Sequence, residues 1–412
     1  MKTIIIFLIS IPTFCYSQWN GTYFHADQES VIEVLNKDII IAATKAGGRF
    51  HRSTDGGNTW SIYQTIFTTS YFYDIQFPTD SVGYACGGTN SGTHKNVIVK
   101  SIDGGQTWDS ITSNAYTGNS FKKLHFINAD TGLVALDNGG LLITLNGGIT
   151  FNTIFIQEIV TDITSKPNKE FYISTNQYVN SNSSVYSIVK SNDLGNSWRI
   201  VYSDVNNNAG TGNHREISEL FFADNNTGYG VSGSGFLLKS TNGGSSWTSS
   251  FIYPFAFYDL TAVHFTSPNV GYVNNMGGIY QTIDGGTNWT SQTISPSTII
   301  EQIKFANDTI GYALGDSGIY KTTNAGLILS VKEINNVSDF QIYPNPVKDV
   351  LQLRGLDKFS IITIQLYDLK GKLIKDISPT TNELNVLEYN KGIYFLRIQT
   401  DNTLLTRKVI IK

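Results

Sequence analysis

Cysteine is nearly absent from this chain, and its charges are few and balanced. The 412 residues include two cysteines and carry a formal net charge of -4. Cys15 lies in an N-terminal segment that we expect to be removed, so Cys86 would remain alone and could form no internal disulfide. Basic side chains are interspersed with acidic ones, which argues against a nucleic-acid partner. Stability must therefore come from a packed core.

Long apolar runs are also missing after the first residues. Met1 and Lys2, followed by the apolar run Ile4 to Ile11, predict a secretory signal peptide over residues 1–17. That run is too short to span a bilayer and no later stretch is long enough, so we expect no transmembrane segment in the mature chain. The sequence has no phosphate-binding loop, metal-ligand cluster or Ser-His-Asp pattern, and we expect neither a cofactor nor a metal.

The chain contains instead one short turn repeated seven times. Each copy runs from Ser or Thr through Asp or Asn to glycine, and five copies end in Trp. The Asp or Asn position recurs at steps of 40 to 49 residues, the length of a four-stranded propeller blade. Its side chain can bond backbone N–H groups further along the turn, and the glycine supplies a positive φ. The turn residues are Asp55, Asp103, Asn146, Asp193, Asn242, Asp284 and Asn324, with Trp60, Trp108, Trp198, Trp247 and Trp289.

These turns resemble the Asp-box, or bacterial neuraminidase repeat. The resemblance implies an all-β chain in which residues 18–331 form a seven-bladed β-propeller and the turns are structural. A companion repeat, seen from Phe222 to Gly228 and Tyr229, is similar to the photosystem II stability and assembly factor branch. Because Asp-boxes also occur in sialidases, xyloglucanases and sortilin-type receptors, the resemblance implies no single activity.

The ring of blades needs a closing strand. Trp19 is the only tryptophan outside the repeated turns, and it precedes Leu35 by 16 residues, close to the 16 to 18 residues between a turn Trp and the next apolar anchor in other blades. We predict that the segment near Trp19 pairs beside the last blade and closes the ring, which removes exposed edges. Alternatively, Leu327 to Val331 forms that outer strand.

Composition changes after residue 330. Residues 332–412 carry a net charge of +3, whereas the rest of the chain carries -7. A polar linker, 332–339, precedes short alternating strands in 340–412, which predict a small Ig-like β-sandwich. The segments Tyr343 to Pro346, Gly392 to Ile398 and Arg407 to Lys412 resemble the type A C-terminal sorting domain of type IX secretion. This implies that residues 340–412 engage the type IX machinery and that the protein is secreted or displayed on the outer cell surface. A generic Ig-like adhesion module is the alternative.

A binding surface is expected on the propeller face opposite the repeated turns. Two segments there are rich in aromatic rings beside polar side chains, which suit sugars or extended peptide, although many such rings fill the core. His94, His214 and Arg215 share that face and could orient an anionic group, but solvated side chains are the simpler expectation. The candidate ligand-binding residues are Tyr71, Tyr73, Tyr253, Phe255 and Tyr258.

Catalysis has weaker support. Residues 18–331 contain only four arginines and no Arg-Ile-Pro motif, so sialidase activity is not expected. Asp74 and Glu219 each lie nine residues before a turn glycine and are weak candidates for a carboxylate pair. We therefore expect a secreted or cell-surface protein that binds a glycan or protein. The alternatives are a polysaccharide-active glycoside hydrolase and an envelope assembly or stability factor.

Overall fold

The computed structural model divides the chain into two units, Tyr16–Leu327 and a second that includes Ile328–Lys412. Both are built from β-strands, which confirms the predicted all-β class. The residues that the structure describes are 19–23, 29–68, 70–89, 96–111, 120–156, 158–166, 170–180, 183–206, 215–252, 259–275, 278–295, 298–325, 340–356, 361–368, 373–400 and 404–412.

The larger unit is a ring of seven sheets, six of them antiparallel with four strands and one with five, as expected of a seven-bladed propeller. Strand β1 (Trp19–Tyr23) precedes the blades. Blade 1 contains β2 (Glu29–Val34), β3 (Ile40–Thr44), β4 (Arg49–Ser53) and β5 (Ser61–Gln64), and blade 2 contains β6 (Ser70–Gln76), β7 (Gly83–Thr89), β8 (Asn96–Ser101) and β9 (Asp109–Ser110). Blade 3 contains β10 (Phe121–Phe126), β11 (Gly132–Leu136), β12 (Gly140–Thr144) and β13 (Asn152–Phe155), and blade 4 contains β14 (Ile159–Ser165), β15 (Phe171–Asn180), β16 (Ser183–Ser191) and β17 (Arg199–Asn206). Blade 5 contains β18 (Ile217–Phe222), β19 (Gly228–Ser232), β20 (Phe236–Ser240) and β21 (Thr248–Phe251), and blade 6 contains β22 (Val263–Phe265), β23 (Gly271–Asn275), β24 (Gly278–Thr282) and β25 (Thr290–Ser291). Blade 7 contains β27 (Ile300–Phe305), β28 (Gly311–Gly315) and β29 (Gly318–Thr322), while β26 (Ile294–Ser295) lies between blades 6 and 7 in the chain.

Strand β1 completes blade 7 and closes the ring. It pairs antiparallel with β29, with Asn20 opposite Lys321, and β26 adds a short parallel pairing on its other side. Trp19 is fully buried and meets the rings of Tyr272 and Phe305 edge-on. The innermost strand of blade 7 contacts that of blade 1. The predicted closure by the Trp19 segment is therefore confirmed, and the alternative segment lies outside the described residues.

Each repeated turn is held together by its own side chains. In blade 1 the Ser53 hydroxyl oxygen accepts the Gly57 N–H at 2.8 Å, and Asp55 accepts both the N–H and the hydroxyl of Thr59, at 2.8 and 2.6 Å. The Gly56 N–H donates to the carbonyl of Asp38, in the turn between β2 and β3, at 2.9 Å. The repeated turn and the β2–β3 turn therefore lie on the same face, which we call the turn face.

At the turn face, neighbouring blades are joined by a tyrosine and a lysine. In blade 2 the Tyr84 hydroxyl and the Lys100 ammonium both donate to the carbonyl of Gly147 in blade 3, at 3.3 and 3.0 Å. Each such donor pair satisfies a carbonyl of the next blade's turn, so the companion Gly-Tyr repeat links blades. The equivalent pairs are Tyr172 and Lys166 on Gly243, Tyr229 and Lys239 on Gly285, and Tyr312 and Lys321 on Gly56, while Tyr272 and Gln281 bond Ala325.

The second unit contains two antiparallel sheets. The first comprises β30 (Gln341–Tyr343), β31 (Val350–Arg354) and β34 (Glu383–Asn385), and the second comprises β32 (Ile361–Asp368), β33 (Leu373–Ile377), β35 (Gly392–Thr400) and β36 (Leu404–Ile411). One apolar core joins the two sheets, with Leu351, Leu366, Leu396 and Val409 fully buried. This is the small β-sandwich that the alternating strands predict.

Candidate functional site: the charged centre of the propeller

The innermost strands share a bulge that positions one residue in each blade. In blades 2 to 5 the pairing register shifts immediately before Asp74, Lys123, Asp162 and Glu219. Blades 1 and 7 have the same shift before Val31 and Gln302. A bulge of this kind redirects the side chain that follows it. Asp74 and Glu219, singled out from the sequence by their spacing, therefore occupy equivalent places in two blades.

The polar side chains at this bulge position bond to the next blade. Asp74 accepts the Leu124 N–H at 2.9 Å, Asp162 accepts the Leu220 N–H at 2.8 Å, and Glu219 accepts the Val263 N–H at 2.7 Å. The Gln302 side-chain carbonyl accepts the Ile32 N–H at 2.9 Å, across the closure between blades 7 and 1. These carboxylates are thus inter-blade acceptors that are fixed by backbone donors.

Six charged side chains face one another at the centre, four carboxylates and two ammonium groups. Lys123 lies 3.5 Å from Asp162. Burial lowers the pKa of Lys123, but the carboxylates of Asp162, Asp74 and Glu219 outweigh it, so the pKa lies above its usual value. Lys123 therefore stays charged, and the centre of the propeller carries both positive and negative side chains. We call this set, Glu33, Asp74, Lys123, Asp162, Glu219 and Lys304, the central ring.

Lys304 and Glu33 are oppositely charged members of the central ring that affect each other's pKa. Burial opposes the charge on Lys304, yet nearby Glu33, Glu219 and Asp74 raise its pKa. Its ammonium makes no hydrogen bond or ion pair with any residue that the structure describes. Burial raises the pKa of Glu33 to about 7, against the opposing effects of Lys304 and of the Phe77 N–H. Near neutral pH the centre can therefore offer a charged donor and a carboxyl close to its titration point.

Two histidines border the central ring. His125 is hydrogen-bonded to the Ser165 hydroxyl at 2.8 Å, and His264 lies between the rings of Phe221 and Phe305, 4.7 and 5.5 Å away between centroids. Burial and then the charge of Lys304 lower the pKa of His125 to about 4 and that of His264 to about 3. Both imidazoles are neutral at physiological pH, so they add polar contacts without charge.

The sequence-predicted aromatic residues are only partly within the described chain. Tyr71 and Tyr73 lie on β6 and are half-buried, and the Lys122 ammonium sits 3.9 Å from the centroid of the Tyr73 ring. Tyr253, Phe255 and Tyr258 lie outside the described residues, as do His94 and His214. Arg215 is described, and it pairs with Asp204 at 3.2 Å. Two of the five predicted aromatic residues, Tyr71 and Tyr73, therefore lie within the described chain.

The sequence analysis missed Glu33, Asp162, Lys304 and the two histidines. For His125, His264 and Lys304, the signal that could have found them is their place one residue before the phenylalanine that ends an innermost strand. His125 directly precedes Phe126, His264 directly precedes Phe265, and Lys304 directly precedes Phe305. Glu33 lies two residues before Leu35. Among the described residues no cluster of His, Cys, Asp and Glu is arranged to hold a metal ion.

Comparison with known proteins identifies the smaller unit. Residues 341–412 match the family model of the secretion system C-terminal sorting domain. This is a type IX sorting domain. It marks the protein as one that is exported to the cell surface or the extracellular medium and that engages the type IX machinery. No helix of the described chain has the length and apolar character needed to cross a membrane.

For the larger unit, the likeness is structural. YCF48 bound to D1 peptide has a TM-score of 0.58 at 15% identity, over 76% of this chain and 99% of that one. YCF48 from Cyanidioschyzon merolae gives 0.56 at 16% identity, over 75% and 99%. The GH74 xyloglucanase from Xanthomonas campestris gives 0.57 at 13% identity, over 93% and 59%. At these identities the likeness shows the propeller fold alone, and no curated protein sequence matches the chain.

Proposed function

We propose that the exported propeller is a binding protein that takes a charged peptide segment of another protein at the central ring. The observation that carries this proposal is the Lys304 ammonium, which is half-buried and has no ionic partner among the described residues. Nearby carboxylates keep the Lys304 ammonium charged, so its N–H donors can make charge-assisted hydrogen bonds to carbonyl or carboxylate oxygens of a ligand. Glu33 lies close enough to Lys304 to alter its pKa and could receive a donor from the same ligand.

A peptide fits the mixed field better than a neutral glycan does. In blade order, two carboxylates separate Lys123 from Lys304 on each side of the central ring, and an extended peptide carries both signs together with backbone donors and acceptors. The YCF48 structure with a bound D1 peptide adds support, since it shows that a propeller of this fold can bind peptide. The partner would be met outside the cell, where the sorting domain sends the chain.

Hydrolysis by Asp74 and Glu219 is the weaker candidate. Each carboxylate already accepts a backbone N–H of the next blade, and this favours a structural role over proton transfer to a substrate. An envelope assembly or stability factor would be one form of the proposed peptide binder, distinguished by its partner.

The test is a binding screen of the full chain on peptide and glycan arrays, with reducing-sugar release measured on the same glycans. We expect peptide binding that falls at least tenfold in Lys304→Gln. Lys348→Gln, which removes an exposed lysine of the second unit, is the matched control and should bind normally. Glycan release that is lost in Asp74→Asn or Glu219→Gln would instead establish the hydrolase, and equal peptide binding by both lysine variants would reject the central ring as the site.

A further inference from the structure

The second sheet of the smaller unit departs from the usual alternation of apolar and polar side chains. Its inner side chains, which include Leu366, Leu396 and Val409, are apolar and buried in the core. In an antiparallel sheet with one face on a core, the side chains of the other face meet water and are usually polar. Five outward side chains of this sheet are aliphatic or aromatic instead, and none of them belongs to the core between the two sheets. They are Tyr367, Leu373, Ile393, Phe395 and Ile410.

Strand pairing places these five side chains next to one another. Tyr367 lies opposite Phe395 in β35 and opposite Leu373 in β33. Ile393 stands two residues before Phe395 and lies opposite Ile410 in β36. Residues that are two apart on a strand, or opposite each other on neighbouring strands, share one face of the sheet and are neighbours there. The five side chains therefore form one surface, which we call the outer patch. Leu373 is 41% exposed, and the other four are half-buried.

The outward side of the first sheet of the same unit is mostly polar. One aromatic and one aliphatic side chain stand there among five polar ones. The seven are Gln341, Tyr343, Val350, Gln352, Arg354, Glu383 and Asn385. The two outward faces of one small sandwich therefore differ in character, although both belong to sheets that cover the same core. A contiguous apolar surface that is bordered by polar residues is typical of a contact site for a partner.

Positive charge borders the outer patch. Lys408 lies opposite Phe395, Arg397 follows Phe395 by two residues, and both basic side chains are exposed. Asp376 is the one acidic side chain among the described residues of this face, and it accepts a hydrogen bond from the Gln365 amide at 2.7 Å. An apolar centre with a basic border fits a partner surface that is apolar with an acidic border.

We infer that the outer patch is the surface by which the type IX machinery holds the sorting domain, through an apolar contact with an acidic border. The sorting domain is the part of the chain that engages this machinery, so this unit has a partner whatever the propeller binds. Burial of apolar area drives association. The outer patch offers such area, and the mostly polar face of the first sheet offers less. The inference does not depend on the central ring.

The experiment measures export of the full chain in a bacterium that has a type IX system, by comparing the amount on the cell surface and in the medium with the amount inside the cell. We expect Phe395→Glu and Arg397→Glu each to lower the exported fraction by about tenfold or more, because each sets a negative charge against an acidic border. Tyr343→Glu and Arg354→Glu are the matched controls. They make the same kinds of change at exposed positions on the outward side of the first sheet, and they should be exported as the unaltered chain is.

Two further variants separate lost recognition from misfolding. Lys408→Glu changes an exposed side chain outside the core, so it should lower export at an unchanged melting temperature in calorimetry of the purified full chain. Arg397→Lys keeps the charge and should be exported normally.

The inference is overturned if Arg397→Glu and Lys408→Glu are exported as the unaltered chain is, or if the two control variants lose export to the same extent. It is also overturned if Phe395→Glu leaves export unchanged and converts a dimer of the purified chain to a monomer, since the outer patch would then belong to a second copy. Loss of peptide binding in Lys304→Gln tests the central ring independently.

Discussion

Different interactions hold blade 4 to its two neighbours. We call the contact between two neighbouring blades a joint, and we compare the joint of blades 4 and 5 with that of blades 3 and 4. At the joint of blades 4 and 5, Asp162 accepts the Leu220 N–H near the centre, and Tyr172 and Lys166 donate to the Gly243 carbonyl at the turn face. At the joint of blades 3 and 4, the equivalent residues are Lys123, which cannot accept, and Leu133, which cannot donate. One joint is fixed by directional bonds to backbone, and the other is not.

The joint of blades 3 and 4 relies on apolar packing and on side-chain contacts. Leu133 and Ile143 pack against Gly195 in the turn of blade 4, within a cluster that also contains Trp198. Near the centre, Lys123 meets Asp162 and His125 meets Ser165. Apolar contact is non-directional and scales with area, whereas a hydrogen bond fixes position. The comparison therefore predicts that the two joints respond differently to large and small deletions.

The largest loss of unfolding free energy is expected on substitution of Asp162, which contacts both neighbouring blades. Asp162→Ala removes the partner of Lys123 and leaves the Leu220 N–H without an acceptor. Breaking a buried ion pair from one side costs about 3–5 kcal/mol. Asp162→Asn, which keeps an acceptor oxygen, should cost less. Urea unfolding followed by tryptophan fluorescence measures this for the propeller alone, because all six tryptophans lie in Tyr16–Leu327.

The control for Asp162 is Asp38→Ala, which breaks the exposed Lys37–Asp38 pair, whose side chains are 58% and 50% exposed. An exposed pair is worth less than about 1 kcal/mol. Equal losses in Asp162→Ala and Asp38→Ala would contradict the view that the carboxylate joins three blades.

At the apolar joint, Leu133→Ala should lower the free energy of unfolding by about 2–5 kcal/mol. Leu133 is fully buried, and a buried leucine deletion loses both transfer free energy and packing around the cavity. Leu145→Ala, in an exposed position of the blade 3 turn, is the matched control and should change stability little. A loss below that of the next variant, Tyr172→Phe, would show that apolar packing does not hold this joint.

At the bonded joint, Tyr172→Phe should cost only about 1 kcal/mol, because one hydrogen bond is removed without a cavity. The Gly243 carbonyl keeps its bond from Lys166, which limits the loss. Tyr178→Phe, at an exposed tyrosine of the same blade, removes a hydroxyl that joins no blades and provides the baseline in the same urea titration. The idea of a tyrosine link fails if the two variants have the same midpoint.

The sequence predicts the turn face much better than it predicts the centre. The spacing of Asp55 and its six counterparts gives the blade count, and the place of Trp19 gives the closure. The central ring has no such repeat, because Val31, Asp74, Lys123 and Gln302 occupy one structural position with four kinds of side chain. The bulge before that position also shifts the alternation of each strand by one residue. Which side chains meet at the centre thus depends on how the innermost strands of all seven blades are arranged around the ring. The sequence of one blade does not specify that arrangement.

The smallest effect is expected at the turns that flank the bonded joint, where blade 4 has Asp193 and blade 5 has Asn242. Asp193 accepts the hydroxyl and the N–H of Ser197, and these bonds lower its pKa to about 2. Asn242 makes corresponding bonds to Ser246 with its oxygen and its amide nitrogen. The unfolded carboxyl has a pKa near 3.8, so the folded state binds fewer protons, and this stabilisation is present above about pH 4 and is lost as the pH falls through 2.

Asp193→Asn should therefore flatten the decline of the melting temperature between pH 4 and pH 2 and leave the value at pH 7 nearly unchanged. The converse variant, Asn242→Asp, should steepen the same decline, which makes the two turns exchange their acid behaviour. Asp80→Asn removes an exposed carboxylate outside the repeated turns and should leave the slope as it is. If Asp193→Asn and Asp80→Asn give the same acid profile, the carboxylate of the turn contributes nothing beyond what an amide supplies, and Asp and Asn are equivalent there at every pH.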